Sequence, residues 1–201
     1  MTNILQINSS VFSDQGVSSK LADDFVQRLR QRDPKAQLVR RDVTADPVPH
    51  LDGERLQALM TQKSERTTAQ QAMVDYADTL IREVQNADVL VLGLPMYNFS
   101  VPSTVKAWFD HIARAGVTFR YTDSGSQGLL TGKKAYVFTT RGGVHRNTPT
   151  DSQTPLVKTF LAFLGITDVD FVYAEGLNMG ENAKSVGMVQ AESRIELLLA
   201  A

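Results

Sequence analysis

Short apolar runs alternate with amphipathic stretches along the 201-residue chain. Ile4–Ile7 is apolar and stops at Asn8-Ser9-Ser10, the pattern of a buried strand. Leu21, Phe25, Val26 and Leu29 follow at helical spacing behind Ser18, a candidate N-cap. Gln37–Val43 reads as a strand flanked by charge, hence an edge strand. Pro47 and Pro49 mark an extended loop, after which Asp52 would cap a short helix carrying Leu56 and Leu59. Thr67 or Thr68 caps a longer helix with Met73, Tyr76, Ala77, Leu80 and Val84 on one face. The stretch from Thr44 to Thr67 is long for a simple crossover and predicts an extra helical arm over a site or an interface.

The second half repeats the alternation. Asp88–Leu94 is the clearest buried strand and runs straight into Pro95–Phe99. Pro102 opens a helix with Val105, Trp108, Phe109 and Ile112 inward. Gly116–Gly132 holds a β-prone piece, Val117–Tyr121, and a glycine-rich turn. Lys134–Thr140 is another central strand, ending in Arg141-Gly142-Gly143. A helix through Leu156, Phe160, Phe163 and Leu164 closes at Gly165, Val169–Ala174 is the fifth strand, and a last helix carries Val186, Val189, Ile195 and Leu199. Five strands alternating with helices predict one α/β domain over residues 1–201, its mostly parallel sheet covered on both faces.

Composition narrows the chemistry. The chain has no cysteine and three histidines, His50, His111 and His145. Thiolate nucleophiles, iron–sulfur clusters and cysteine-based zinc sites are excluded, and no metal site is expected. A net charge of -1 gives no pull toward nucleic acid or anionic membrane. No run approaches the ~18 apolar residues of a membrane span, and the N-terminus lacks a basic leader, so a cytoplasmic protein is expected. No G-x-G-x-x-G follows the first strand, no G-x-S-x-G elbow occurs, and Gly128–Lys134 misses the P-loop spacing and precedes a strand. His111 reads as a residue of a helix surface or an interface, and His50 as a loop residue.

The positive signals sit in three loops, each at the C-terminal end of a predicted strand, where open α/β sheets bind ligands. Asn8–Ser19 carries five serines and a glycine, no lysine and no arginine, and leads into a helix. It reads either as a monophosphate site built from hydroxyls and backbone N–H groups or as a capping loop with no ligand. Met96, Tyr97, Asn98 and Phe99 offer flat apolar surface and an amide to a planar heterocycle, or else finish the core. Thr140–His145, with consecutive glycines, either brings backbone N–H groups close to a ligand or is an ordinary loop.

Taken together, PMYNF (95–99), ARAGVTFRYT (113–122), GKKAYVFTTRGG (132–143) and GITDVDFVYAEG (165–176) make the chain resemble the bacterial FMN-dependent NADH:azoreductases, relatives of the NAD(P)H:quinone oxidoreductases. The resemblance covers essentially the whole chain. It implies a flavodoxin-like three-layer sandwich with a five-stranded parallel sheet in the order 2-1-3-4-5, and a homodimer. It implies bound FMN, an NADH or NADPH donor, and quinones and aromatic azo compounds as acceptors, served by ping-pong two-electron transfer.

Residue by residue, the resemblance assigns Ser10, Gly16, Val17 and Ser18 to the FMN phosphate. Met96, Tyr97, Asn98 and Phe99 would line the isoalloxazine and ribityl chain. Thr140, Arg141, Gly142 and Gly143 would run along the pyrimidine edge, and His145 would sit close to the ring as a proton donor or a packing contact. Phe99, Phe119, Tyr121 and His145 would wall the substrate cleft, Phe119 and Tyr121 from the partner subunit. Two other readings stand beside this one: a flavodoxin-like electron carrier without turnover of its own, and a flavin-free α/β interaction module.

Overall fold

The computed structural model describes residues 2–200. Strands β1 (Asn3–Asn8), β2 (Gln37–Asp42), β3 (Val89–Pro95), β6 (Lys134–Thr140) and β7 (Asp168–Ala174) form one sheet in the order β2-β1-β3-β6-β7, every neighbouring pair parallel. Counted within that sheet the order is 2-1-3-4-5, as the resemblance implies. Strands β4 (Phe119–Thr122) and β5 (Gly125–Gly128) form a separate antiparallel hairpin.

Helices α1 (Val17–Arg32) and α6 (Glu181–Ala200) cover one face, where Phe25 packs 4.6 Å from the Tyr136 ring and 5.2 Å from that of Phe138. Helices α3 (Thr68–Asn86), α4 (Ser103–Ile112) and α5 (Gln153–Leu164) cover the other. There Trp108 and Phe109 are fully buried, and Phe109 stacks on Phe160 at 3.9 Å. Burial of side chains of this size stabilises the fold by about 1.5–3 kcal/mol each. Helix α2 (Gly53–Met60) is the extra arm, capped by Asp52, which accepts from the N–H of Arg55, and packed on α3. Thr67 and Gln70 close the N-terminus of α3 as a reciprocal capping box. No helix among the described residues is long and apolar enough to cross a membrane.

Three local readings of the sequence change. The N-cap of α1 is Gly16, not Ser18. A Cβ at Gly16 would lie 2.1 Å from Ser10 Oγ, so packing against Ser10 excludes a capping side chain at this position. Val186 and Val189 are 56 % and 61 % exposed, while Gly187, Ala191, Ile195 and Leu199 turn to the sheet.

His111 is 2 % exposed, not a surface residue. Its Nε2–H donates to the Pro49 carbonyl at 2.9 Å, and its ring meets Tyr76 edge-on. Burial pushes its pKa down, against the Pro49 hydrogen bond that favours the charged form. The folded protein therefore binds this proton less readily than the unfolded chain. Stability should fall as pH drops from 7 toward 5, by at most about 1.4 kcal/mol per pH unit from this residue. Urea titrations at both pH values should show the loss, and His111→Gln should flatten it.

Candidate functional site

All five strands of the main sheet run the same way, so the loops after β1, β3, β6 and β7 gather on one edge. The first is residues 9–16. Ser10 Oγ accepts from the Phe12 N–H at 3.2 Å, and Ser9 Oγ donates to the Gly93 carbonyl at 2.7 Å. Gly16 supplies no side-chain cap, and Lys20 is the first residue of the helix to bond back, to the Gly16 carbonyl. The N–H groups of Val17, Ser18 and Ser19 thus lack partners among the described residues. Ser18 Oγ and Ser19 Oγ are also buried without a partner. Three free N–H groups and two orphaned hydroxyls at the start of a 16-residue helix suit an anion. No lysine or arginine lies in residues 8–19 to suit a more highly charged one.

The second loop is a tight reversal. Tyr97 and Ser100 exchange backbone hydrogen bonds at 3.1 Å in both directions, with Asn98 at φ 49° and Phe99 at φ 68°. Asparagine tolerates this region; for phenylalanine it costs on the order of 1–3 kcal/mol. The turn leaves Phe99 53 % exposed instead of finishing the core. Neighbours hold the strained turn. Ser152 Oγ donates to the Phe99 carbonyl, and Tyr97 Oη accepts from the Val11 N–H at 3.2 Å. A cavity of about 540 Å³ opens beside it, lined by Val11, Thr44, Tyr97, Asn98, Leu156 and the first turn of α4.

The third loop is built by pairing with the segment after β7. The carbonyls of Arg141, Gly142 and Gly143 accept from the N–H groups of Leu177, Asn178 and Gly176, at 3.1, 3.0 and 2.9 Å. The Arg141 N–H donates to the Ala174 carbonyl at 2.9 Å. The N–H groups of Gly142 and Gly143 are left without partners among the described residues. A Cβ would come 2.6 Å from Asn178 Nδ2 at Gly142 and 2.8 Å from His145 Nε2 at Gly143, so a larger residue at either position would push on one of those side chains. Thr140 sits at the base of this loop, its carbonyl accepting from the Met96 N–H at 2.9 Å, which joins the second loop to the third.

His145 crosses from the third loop to the second, its ring edge-on to Phe99 at 5.6 Å. Its tautomer follows from its neighbours. Thr148 Oγ1 donates to the His145 carbonyl at 2.7 Å, so in the 2.8 Å contact between Thr148 and Thr150 the Thr150 hydroxyl is the donor. Thr150 Oγ1 must then accept from Nδ1–H in its 2.9 Å contact with the ring. That network assigns the neutral ring's proton to Nδ1 and leaves Nε2 free.

Two residues assigned to the site from the sequence turn their side chains to partners within this chain. The Arg141 side chain is 0 % exposed and turned away from the pocket, bound to Asp151, Glu175, Gln153 and Thr154. A buried guanidinium needs such partners, and the carboxylates lie inward. Phe119 is 7 % exposed, its ring 4.4 Å from that of Phe163, so it belongs to this chain's own core. Tyr121 is 76 % exposed, but on the hairpin. That hairpin is anchored where α5 ends: the Leu130 N–H donates to the Leu164 carbonyl, and Gly128 abuts Gly165 so closely that a Cβ would meet its nitrogen at 2.0 Å. Helix α5 descends from the loop edge, so Tyr121 stands at the opposite edge from its own chain's three loops.

Sequence reading missed Glu175, Asp151 and Gln153. Glu175 falls right after a strand end on the loop edge, and that position was the available signal. Asp151 is held below the usual carboxylate range. Its burial works the other way, but the Thr154 N–H and the Arg141 guanidinium outweigh it.

The sequence matches the family described as flavodoxin-like fold over residues 2–199. It is 50 % identical over 201 residues to an FMN-dependent NADH:quinone oxidoreductase of Cellvibrio japonicus, covering 100 % of both chains. It is 52 % identical over 195 residues to a protein of the same name from Burkholderia pseudomallei, covering 97 % of this chain and 98 % of that one. Among solved structures, an FMN-dependent NADH-azoreductase of Bacillus anthracis in complex with FMN superposes with a TM-score of 0.90 at 26 % identity, over 100 % of this chain and 98 % of that one.

The tight fit at Gly16 gives a direct check on the first loop. Gly16→Ala must displace the Ser10 side chain, and overpacking of this kind costs about 1–3 kcal/mol. Chemical denaturation of the variant should show that loss, and titration with FMN should show at least tenfold weaker binding than to the parent protein.

Proposed function

The chain belongs to the family of FMN-dependent NADH:quinone oxidoreductases with the flavodoxin-like fold, and we propose that it passes two electrons from NADH to quinones and, over two cycles, cleaves aromatic azo compounds, donor and acceptor using one site in turn. The observation that carries this reading is the convergence of unpartnered, uncharged donors from separate loops on one edge of the sheet. FMN, when bound, supplies two-electron chemistry to a chain that has no cysteine of its own.

The protein's part is binding, orientation and electrostatics. Ser10 and the backbone of Gly16, Val17 and Ser18 would hold the phosphate. Met96, Tyr97, Asn98 and Phe99 would hold the ring and ribityl chain, the strained turn presenting the Asn98 amide and the Phe99 ring together. The free N–H groups of Gly142 and Gly143, with Thr140, would face the pyrimidine edge, where reduction places negative charge. Donors fixed before that charge appears stabilise it at no cost in reorganisation. His145 would stand beside the ring with Nε2 toward the acceptor. In its neutral tautomer that nitrogen accepts a hydrogen bond; it delivers a proton only as imidazolium. Arg141 does not contact the cofactor in this reading.

The exposed face of the ring would need a cover that this chain's own hairpin is too far away to provide. We assign that role to Tyr121 of a second copy in a homodimer, an aromatic residue left in solvent at the far edge. An electron carrier would turn over no acceptor by itself. Steady-state assays with NADH and a set of quinones should give parallel double-reciprocal lines. Tyr121→Ala should raise the quinone KM at least fivefold while FMN binding stays within twofold. Bound FMN with no NADH-driven quinone turnover would favour the carrier, and an active monomer in sedimentation would remove the partner's role.

A further inference from the structure

One carboxylate oxygen of Glu175 receives three hydrogen bonds. Arg141 Nη1 donates to Oε1 at 3.1 Å, the His145 N–H at 2.8 Å and the Arg146 N–H at 2.9 Å. Glu175 is itself fixed: it follows the last residue of β7, and α6 presses on its carbonyl at Gly187, where a Cβ would lie 2.0 Å away. Arg141 is anchored a second time by Asp151, at 2.9 and 3.1 Å, and by Thr154 Oγ1 at 2.9 Å.

Only Gly142, Gly143 and Val144 lie between the two points that this carboxylate grips. The residue before them is held by its side chain and the residue after them by its backbone. Two adjacent glycines have the widest conformational freedom in the chain and would not keep their N–H groups aimed unaided. Their carbonyls are fixed on one side by Asn178 and Gly176, and Glu175 fixes both ends of the span.

We propose that Glu175 is a positioning residue for the reaction: it acts through Arg141 and the His145–Arg146 backbone to aim the Gly142 and Gly143 N–H groups, and so sets the midpoint potential of bound FMN. This rests on the placement of those two donors at the pyrimidine edge. A donor pair held in place favours the reduced, more negative cofactor over the oxidised one. Releasing the clamp therefore weakens binding of the reduced form more and lowers the potential. Glu175 can be neutralised without stranding a buried charge, because the Arg141–Asp151 pair remains intact.

The test measures FMN affinity and midpoint potential for the parent protein, Glu175→Ala and Glu175→Gln. In Glu175→Ala, oxidised FMN should bind within about fivefold of the parent, and the reduced form should lose a further tenfold. For a two-electron couple that is a drop of about 30 mV. Glu175→Gln keeps an acceptor for the two backbone N–H groups and should fall between, and it carries the test if the alanine variant does not fold. A role in stability alone would lower the melting temperature and weaken both forms equally, leaving the potential at the parent value, which overturns the proposal. A parent protein that binds no FMN would overturn the reading of the site itself, and the clamp with it.

Discussion

Every neighbouring pair in the main sheet is parallel, and the rest of the structure depends on that constraint. Parallel strands need crossovers, so each strand's carboxyl end opens into a loop on the same edge and each return runs down a helix. Loops far apart in sequence thereby meet, as where the Val11 N–H donates to Tyr97 Oη, 86 residues away. Backbone groups there cannot all find partners in the sheet, because the sheet has ended. Some are satisfied between loops, as where Met96 bonds Thr140, and a remainder has no partner among the described residues.

That remainder explains how a chain with no cysteine and a net charge of -1 serves an oxidoreductase family. The donors left at the edge are neutral: N–H groups in the first turn of α1, serine hydroxyls, and the N–H groups of two glycines. The strongest charges near the edge, Arg141, Asp151 and Glu175, neutralise one another below it. Charge here stiffens the frame, and in the proposed reading dipoles meet the ligand. Pre-aimed dipoles also respond well to a group whose charge changes during turnover, since they need no rearrangement when it does.

The strands of the main sheet were legible because an apolar run between turn residues has few other uses in a chain of this length, while their order came only from the family resemblance. The three loops were legible from glycine, serine and asparagine at strand ends. What escaped sequence reading depended on distant partners. Ser18 has the better capping side chain, but the N-cap of α1 is Gly16, where the close approach of Ser10 leaves no room for a side chain. The resemblance sets Arg141 along the cofactor edge with the two glycines, and the sequence around it does not show that its side chain bonds Asp151 and Glu175, 10 and 34 residues away. Phe119 and Tyr121 lie on the same face of β4, their rings edge-on at 5.4 Å, yet only Phe119 reaches the Phe163 ring while Tyr121, two residues on, is left in solvent.

Hydrogen exchange of the backbone amides, with and without saturating FMN, tests most directly whether these neutral loops hold the cofactor. The account predicts that exchange slows together at residues 17–19 and at Gly142 and Gly143. FMN binding that leaves those amides exchanging at the rate of the free protein would contradict it.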